Sequence, residues 1–598
     1  MIYIERQPSR QSVLLLVLLS LALYLGALML PELSAGDEAV NAAVARDMVE
    51  TGRFLKTSLY GQPVKYFPLY PWLVALCSGF RPPTLFTLRL PATLALGGLA
   101  VLAGLAAWHL QSTFAGWIAA AVVLTSFVSF HIGSHAQAEI LQAFFLFAAW
   151  YAWFRLGHEQ KRWALAWGTA HALLLLAVMA VGSGALFWFY FPMFFMRRPL
   201  NAKMRMQVPA HLVSVFVLAL MMAAWLIVTP DQPFMPWGVE HVLSPSREAS
   251  NYLWHFLFFP WSGILSLGAW SLLVWSPFCI ALRQFEDNPA GCLMLRTIVM
   301  SVSVLVWLCP GTTTGQLLPV FAPMAVLLGV HFEIVIRRYQ HVLNKILRLV
   351  AWGVCLFGIL LALFWLSLAT GLVSMTCQLK PSRVALVSGL VCALIAVTVF
   401  LIWYLVLRGK EIVTFRCCII WCIFGVRILT LCSVHAWHIW GHSDRRLAGE
   451  ALAGTLQTTM EIAEMEGVPQ SDAGTRTLQD MKGEADVIYY LPSRDFNYLC
   501  LVETYYLDRH IVRINNLATD LPDTPSPVYV LSSRVPALAT RSWEPISPAV
   551  DMKLRRRPKM TWTTSKRPWL AVSRVPSVGE GHVPRPLLIY RGVLKQSP

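Results

Sequence analysis

Long apolar stretches broken by short polar ones run through the first 440 residues. Segments near 12–31, 85–110, 114–132, 138–156, 163–179, 181–196, 209–229, 256–283, 296–309, 314–334, 347–371, 384–407 and 415–437 are each long enough to cross a bilayer, thirteen in all. The segment 69–80 is shorter and reads as a half-buried or re-entrant piece. The run 12–31 is long for a signal sequence and further spans follow it, so it reads as a retained first helix. From about residue 440 the pattern changes. Residues 447–466 place Leu, Met and Ile at helical spacing among acids, while Val487–Tyr490, Tyr498–Val502, Val528–Leu531 and Leu587–Tyr590 read as strands between turn residues. The expected fold is a polytopic α-helical membrane protein of about 13 transmembrane helices with a C-terminal soluble α/β domain. The division is 1–438, including a polar far-side loop at 32–67, and 439–598.

Charge orients these segments. The chain is 57% hydrophobic and 13% charged with a formal net charge of +16, and its cations sit in short loops between apolar runs. With the N-terminus in the cytoplasm, eighteen Lys and Arg fall on that side, Arg296 among them, against three in the short opposite loops. The positive-inside rule accounts for this distribution, which leaves nucleic acid no role. An odd number of spans puts the 32–67 loop and the tail on the far, periplasmic side. The twelve cysteines form no disulfide framework, and Cys417, Cys418 and Cys422 have no zinc-spaced partners. Lys553, Arg555, Arg556, Arg557 and Lys559 cluster in the tail, either as a solvated loop or as a contact for anionic lipid.

The candidate chemistry lies in the first polar loop. Asp37 and Glu38 open it, and carboxylates beside a bilayer are costly to keep. One reading is capping of a helix running from Glu38 towards Val49. The other is a carboxylate that activates an acceptor or holds a divalent cation. Sugar transfer from a lipid phosphate needs such a group, because a weak oxygen nucleophile must be oriented or deprotonated. The departing phosphate needs positive partners as well. Downstream come Gly61–Trp72, rich in aromatics and Pro, and then Arg89-Leu90-Pro91.

An acid pair after the first helix, an aromatic-Pro segment ending in Trp, and Arg-Leu-Pro resemble the bacterial aminoarabinose transferase and protein O-mannosyltransferase group of GT-C glycosyltransferases (glycosyltransferase 39-like). The likeness covers 36–91 well and the rest of the membrane domain weakly. It implies a many-helix membrane domain with an external α/β domain, and transfer of a sugar from a polyprenyl-phosphate donor to a lipid A-like, envelope glycan or protein acceptor. It makes Asp37 the catalytic carboxylate with Glu38 beside it, and Glu139 of His135–Glu139 the second acid at the start of a membrane helix. Lys65, Arg89, His241 and Arg247 become candidates for the donor phosphate, with Glu240-His241 and Arg247 in another far-side loop. Asp37, His135 and Glu139, with His131 nearby, could hold a divalent metal, the one cofactor these residues suggest.

Some positions depart from the family pattern. Lys65 stands one residue early, Val181-Gly182-Ser183-Gly184 has no Lys, and Thr312-Thr313-Thr314-Gly315 stands where the family has Lys and Tyr. Two other classes therefore stay open: a catalytically silent scaffold of an envelope complex, and a lipid or sugar transporter. The chain shows none of the internal symmetry transporters tend to carry.

Overall fold

The computed structural model describes residues 37–60, 67–133, 135–229, 249–309, 314–369 and 383–408, five tail strands and a few isolated positions. The expected spans 12–31 and 415–437, the tail helix 447–466, the strand 498–502 and the basic cluster 553–559 lie largely or wholly outside the described residues. The chain divides into two compact units, one of residues 1–30 and 89–440, the other of 31–88 and 441–598.

In the first unit, apolar composition dictates helices, because a backbone in hydrocarbon must satisfy its hydrogen bonds internally. The helices are α3 (Leu85–Leu110, most of it in this unit), α4 (Thr113–Thr125), α5 (Phe127–Gly133), α6 (Glu139–Ala152), α7 (Trp163–Val181), α8 (Gly184–Phe195), α9 (Ala202–Arg205), α10 (Pro209–Val228), α11 (Ala249–Leu265), α12 (Ile280–Arg283), α13 (Pro289–Leu308), α14 (Leu318–Ala369) and α15 (Arg383–Arg408). Among the described residues, six helical stretches are long and apolar enough to cross a membrane, seven if the bent pair after residue 253 counts as one. The chain is a multi-pass membrane protein.

The departures from the expected spans have local causes. The span 114–132 is two helices, broken at Ser126, whose backbone is extended (ψ 154°) and whose hydroxyl donates to Ser129 Oγ at 2.9 Å. The span 256–283 starts as α11 and then turns by 103° into short 3-10 pieces. The spans 314–334 and 347–371 belong to one helical run, α14, bent at Tyr339 (φ −122°, ψ 33°). The span 296–309 begins seven residues earlier, at Pro289, where Asn288 caps the helix by accepting from Gly291 N at 3.1 Å. Arg296, expected in a loop, is inside this helix and 8% exposed.

Small residues bring the central helices close. A Cβ on Gly329 of α14 would stand 2.9 Å from Ala119 of α4, and one on Gly116 would stand 2.7 Å from the carbonyl of Gly104. Leucine and valine could not occupy these crossings without separating the helices.

The second unit contains α1 (Asp37–Thr51), the two-residue strands β1 (Ser58–Leu59) and β2 (Gln62–Pro63), α2 (Leu69–Cys77) and the tail sheet. The sheet runs β4 (His510–Arg513), β3 (Val487–Tyr490), β5 (Val528–Ser532), β7 (Leu588–Leu594), β6 (Arg541–Pro545), with β3 parallel to β4 and β5, and β7 antiparallel to β5 and β6. Three of the expected strands are present. His510–Arg513 and Arg541–Pro545 carry charges at positions that hid them from a search for apolar runs.

Candidate active site

Asp37 is the first residue of α1, and its side chain lies outside the described residues. The helix is alanine-rich and buried on nearly every side, which an amphipathic surface helix would not be. Glu38 is 2% exposed, Asn41 0% and Asp47 4%. Buried polar groups of this kind hold a helix in one position because each must be satisfied. The helix starts at Asp37, one residue before the expected Glu38, and acids in its first turn suit the helix dipole.

The end of the aromatic-Pro segment, Leu69–Trp72, opens α2, which packs on α1. Trp72 donates its indole N–H to the Phe54 carbonyl at 2.6 Å, and Phe54 meets Phe80 edge to face at 5.5 Å. Tyr70, fully buried, donates its hydroxyl to the Leu88 carbonyl at 2.8 Å. That carbonyl immediately precedes Arg89-Leu90-Pro91 in the first turns of α3. Pro91 lacks an N–H and loosens the helix here by leaving the Thr87 carbonyl without its helical donor. A hydrogen bond thus ties Tyr70 of the aromatic segment to Leu88, the residue before Arg-Leu-Pro in the chain. Trp72 and Tyr70 act as struts.

Arg89, His135 and Glu139 belong to the other unit. Arg89 is 1% exposed, so its charge is held inside the protein. His135 is buried in the turn before α6, and Glu139, half-buried, is the first residue of that helix, the position the sequence suggested for a second acid. Lys65, Glu240, His241 and Arg247 lie outside the described residues, as do the side chains of Asp37 and His131. Among the described residues, no three His, Cys, Asp or Glu side chains converge as a metal site would require. Thr312 donates to the Val306 carbonyl at 2.7 Å and lies 3.3 Å from His255 Nε2.

A set of buried polar residues escaped the sequence reading. Glu286 accepts from both terminal nitrogens of Arg296, at 2.5 and 3.0 Å, and from His331 Nε2 at 3.1 Å. Burial alone would raise the Glu286 carboxyl, but the hydrogen bonds from His331 and Arg296 outweigh it and hold the group below the usual carboxylate range. Glu159 accepts from Arg155 at 2.7 Å, His109 at 2.7 Å and Asn288 at 2.9 Å. Ser112, which caps α4, donates to the carboxylate of buried Glu333. Tyr190 links His171 Nε2 at 2.5 Å with His211 Nε2 at 2.9 Å. These ties join α3, α4, α7, α8, α10, α13, α14 and the π-helical turn Trp153–Glu159. The available signal was an acid within an apolar run, as at Glu333, which is expensive in a bilayer unless paired.

The computed structure matches that of ArnT from Cupriavidus metallidurans bound to undecaprenyl phosphate with a TM-score of 0.64, 13% sequence identity and 98% of each chain covered. It matches the apo form of the same protein with a TM-score of 0.62 at 14% identity, over 87% of this chain and 92% of that one. No protein-family model matches the sequence. No curated protein matches it either. The chain has the fold of these structures, the GT-C fold, and at these identities the likeness is one of fold alone.

Proposed function

We propose that the chain is an inverting glycosyltransferase of the bacterial inner membrane. It moves a sugar from a polyprenyl-phosphate donor to a lipid A-like, envelope glycan or protein acceptor at the periplasmic face. The observation that carries this reading is the match, over 98% of each chain, to a structure bound to undecaprenyl phosphate. The acid pair at the head of α1 and the tie between Tyr70 and the start of Arg-Leu-Pro support it. In the reaction, an acceptor hydroxyl attacks the anomeric carbon, the bond from that carbon to the phosphate oxygen breaks, and the lipid phosphate leaves with the bonding pair. Asp37 orients the hydroxyl and takes its proton, while Lys65, His241 and Arg247 neutralise the phosphate. Arg89, buried in α3, shapes the motif that surrounds the donor. Glu139 serves as the second acid on the acceptor side.

The test is sugar transfer from radiolabelled polyprenyl-phosphate sugars, measured with purified full-length protein. Asp37→Asn is expected to lower turnover by about 10²-fold or more, the usual yield of a positioned base. Unchanged turnover would remove Asp37 from the mechanism. Chelation tests the role of a metal: loss of activity restored by a divalent cation supports one, and full activity in chelator removes it. A scaffold without catalysis is the second reading, favoured by the turn at Gly182 (φ 107°), which carries no lysine. Absence of transfer with every polyprenyl-phosphate sugar, in protein that still binds the lipid phosphate, would favour it.

A further inference from the structure

From Gln160 to Pro230 the chain contains no Asp or Glu, yet it carries Lys161, Arg162, Arg197, Arg198, Lys203 and Arg205. All six lie in two connections at one end of the helices α7, α8 and α10: the first two directly precede α7, and the other four lie between α8 and α10, Lys203 and Arg205 on the short helix α9. Arg205 draws the loops together, its guanidinium sitting 4.6 Å over the Trp163 ring. Lys161, Arg162, Arg197, Arg198 and Lys203 are exposed, and among the described residues none of them pairs with a carboxylate. The nearest acid in sequence, Glu159, is already engaged by Arg155 and His109.

The segment between α8 and α10 is a built surface. Met196 (3% exposed), Leu200 (1%) and Ala202 (0%) plug it into the bundle. Leu200 N and Asn201 N both donate to the Arg197 carbonyl, at 3.0 and 3.1 Å, and Met206 N donates to the Ala202 carbonyl at 3.0 Å. The cations are therefore carried on a fixed backbone. Beside them, Phe194, Phe195 and Met204 are 55%, 54% and 68% exposed. Cations interleaved with large bare apolar side chains, at the ends of helices that cross a membrane, match one kind of surface: phosphates for the cations, and acyl chains for the rings. A nucleic-acid duplex would satisfy the charges but leave the aromatics in water.

We infer that this end of the α7–α8–α10 group is a binding site for anionic phospholipid, with the Arg197–Arg205 segment and Lys161-Arg162 closing on headgroup phosphate. Its occupancy stabilises the packing of α7 on α10. The full-length protein is reconstituted into nanodiscs of phosphatidylcholine with a minor fraction of phosphatidylglycerol, and the lipid retained after mild detergent extraction is quantified. The triple variant Arg197→Gln, Arg198→Gln, Lys203→Gln is expected to lose about tenfold of its phosphatidylglycerol enrichment, since each basic residue at a surface counts for about 1 kcal/mol before mutual screening. A charge-matched control, Arg53→Gln, Lys56→Gln, Arg81→Gln, alters exposed residues of the other unit and is expected to retain the enrichment. Lys203→Gln alone, an exposed change that leaves the plugs untouched, is expected to lose a several-fold part of it. Equal enrichment in all forms, an equal loss in the control, or displacement of the lipid by millimolar glycerol 3-phosphate would each overturn the inference, the last by reassigning the loops to a soluble phosphate. So would displacement by an oligonucleotide.

Discussion

Glu286 shows how a buried charge is made tolerable in this protein. Its carboxylate is fully satisfied by Arg296 and His331, and removing either partner strands the other charges. Arg296→Met is therefore expected to destabilise the bundle by about 3 kcal/mol, visible as a lower thermal midpoint in detergent. The pH dependence has a definite sign. A carboxyl held below its ordinary value in the folded state stabilises above its unfolded value, and that contribution disappears as pH falls through the folded one. Stability of the native chain is expected to decline below about pH 4.3, where a free Glu protonates, and Glu286→Gln should flatten that decline. An identical acid limb in the variant would show that another group sets it. At Tyr70 the expected effect is smaller: Tyr70→Phe removes one buried hydrogen bond to the Leu88 carbonyl, worth about 1 kcal/mol. Its cost to turnover is expected to exceed its cost to stability, because the bond ties the aromatic segment to the helix that carries Arg89.

At the scale of elements, the close crossings depend on what glycine lacks. Gly329→Leu would drive a side chain into the backbone of α4 and is expected to abolish accumulation of folded protein, while Gly353→Leu, where a Cβ meets nothing within 4 Å, should be tolerated. Comparing the monodisperse yield of the two checks this. The α1 helix behaves differently from the spans. It is short and alanine-rich, and it buries the polar side chains Glu38, Asn41 and Asp47. Glu38→Gln keeps the shape and removes the charge. It is expected to lower thermal stability while Asp37→Asn leaves stability nearly unchanged, which separates the positioning acid from the reacting one.

Over the whole molecule, hydropathy sufficed wherever solvent alone decided. Among the described residues, apolar runs became helices, six of them of spanning length, because unpaired peptide groups cannot remain in hydrocarbon, and apolar runs between turn residues in the tail marked three of its strands. The acid pair, the aromatic-Pro segment and Arg-Leu-Pro were legible as a pattern because their chemistry is local in sequence. Tertiary structure decided what distant residues do to one another. Arg296 has the composition of a loop cation, and only the approach of Glu286 and His331 turns it into a buried residue within a helix. His171, Tyr190 and His211 lie on three helices, and their hydrogen-bonded chain exists only once those helices pack. The bend at Tyr339 and the 103° turn after α11 were likewise invisible, because hydropathy measures preference for lipid and carries no information about direction. Sequence by itself determined which segments leave water. Packing decided which charges meet, since burying a charge is tolerated only where its partner arrives from elsewhere in the chain.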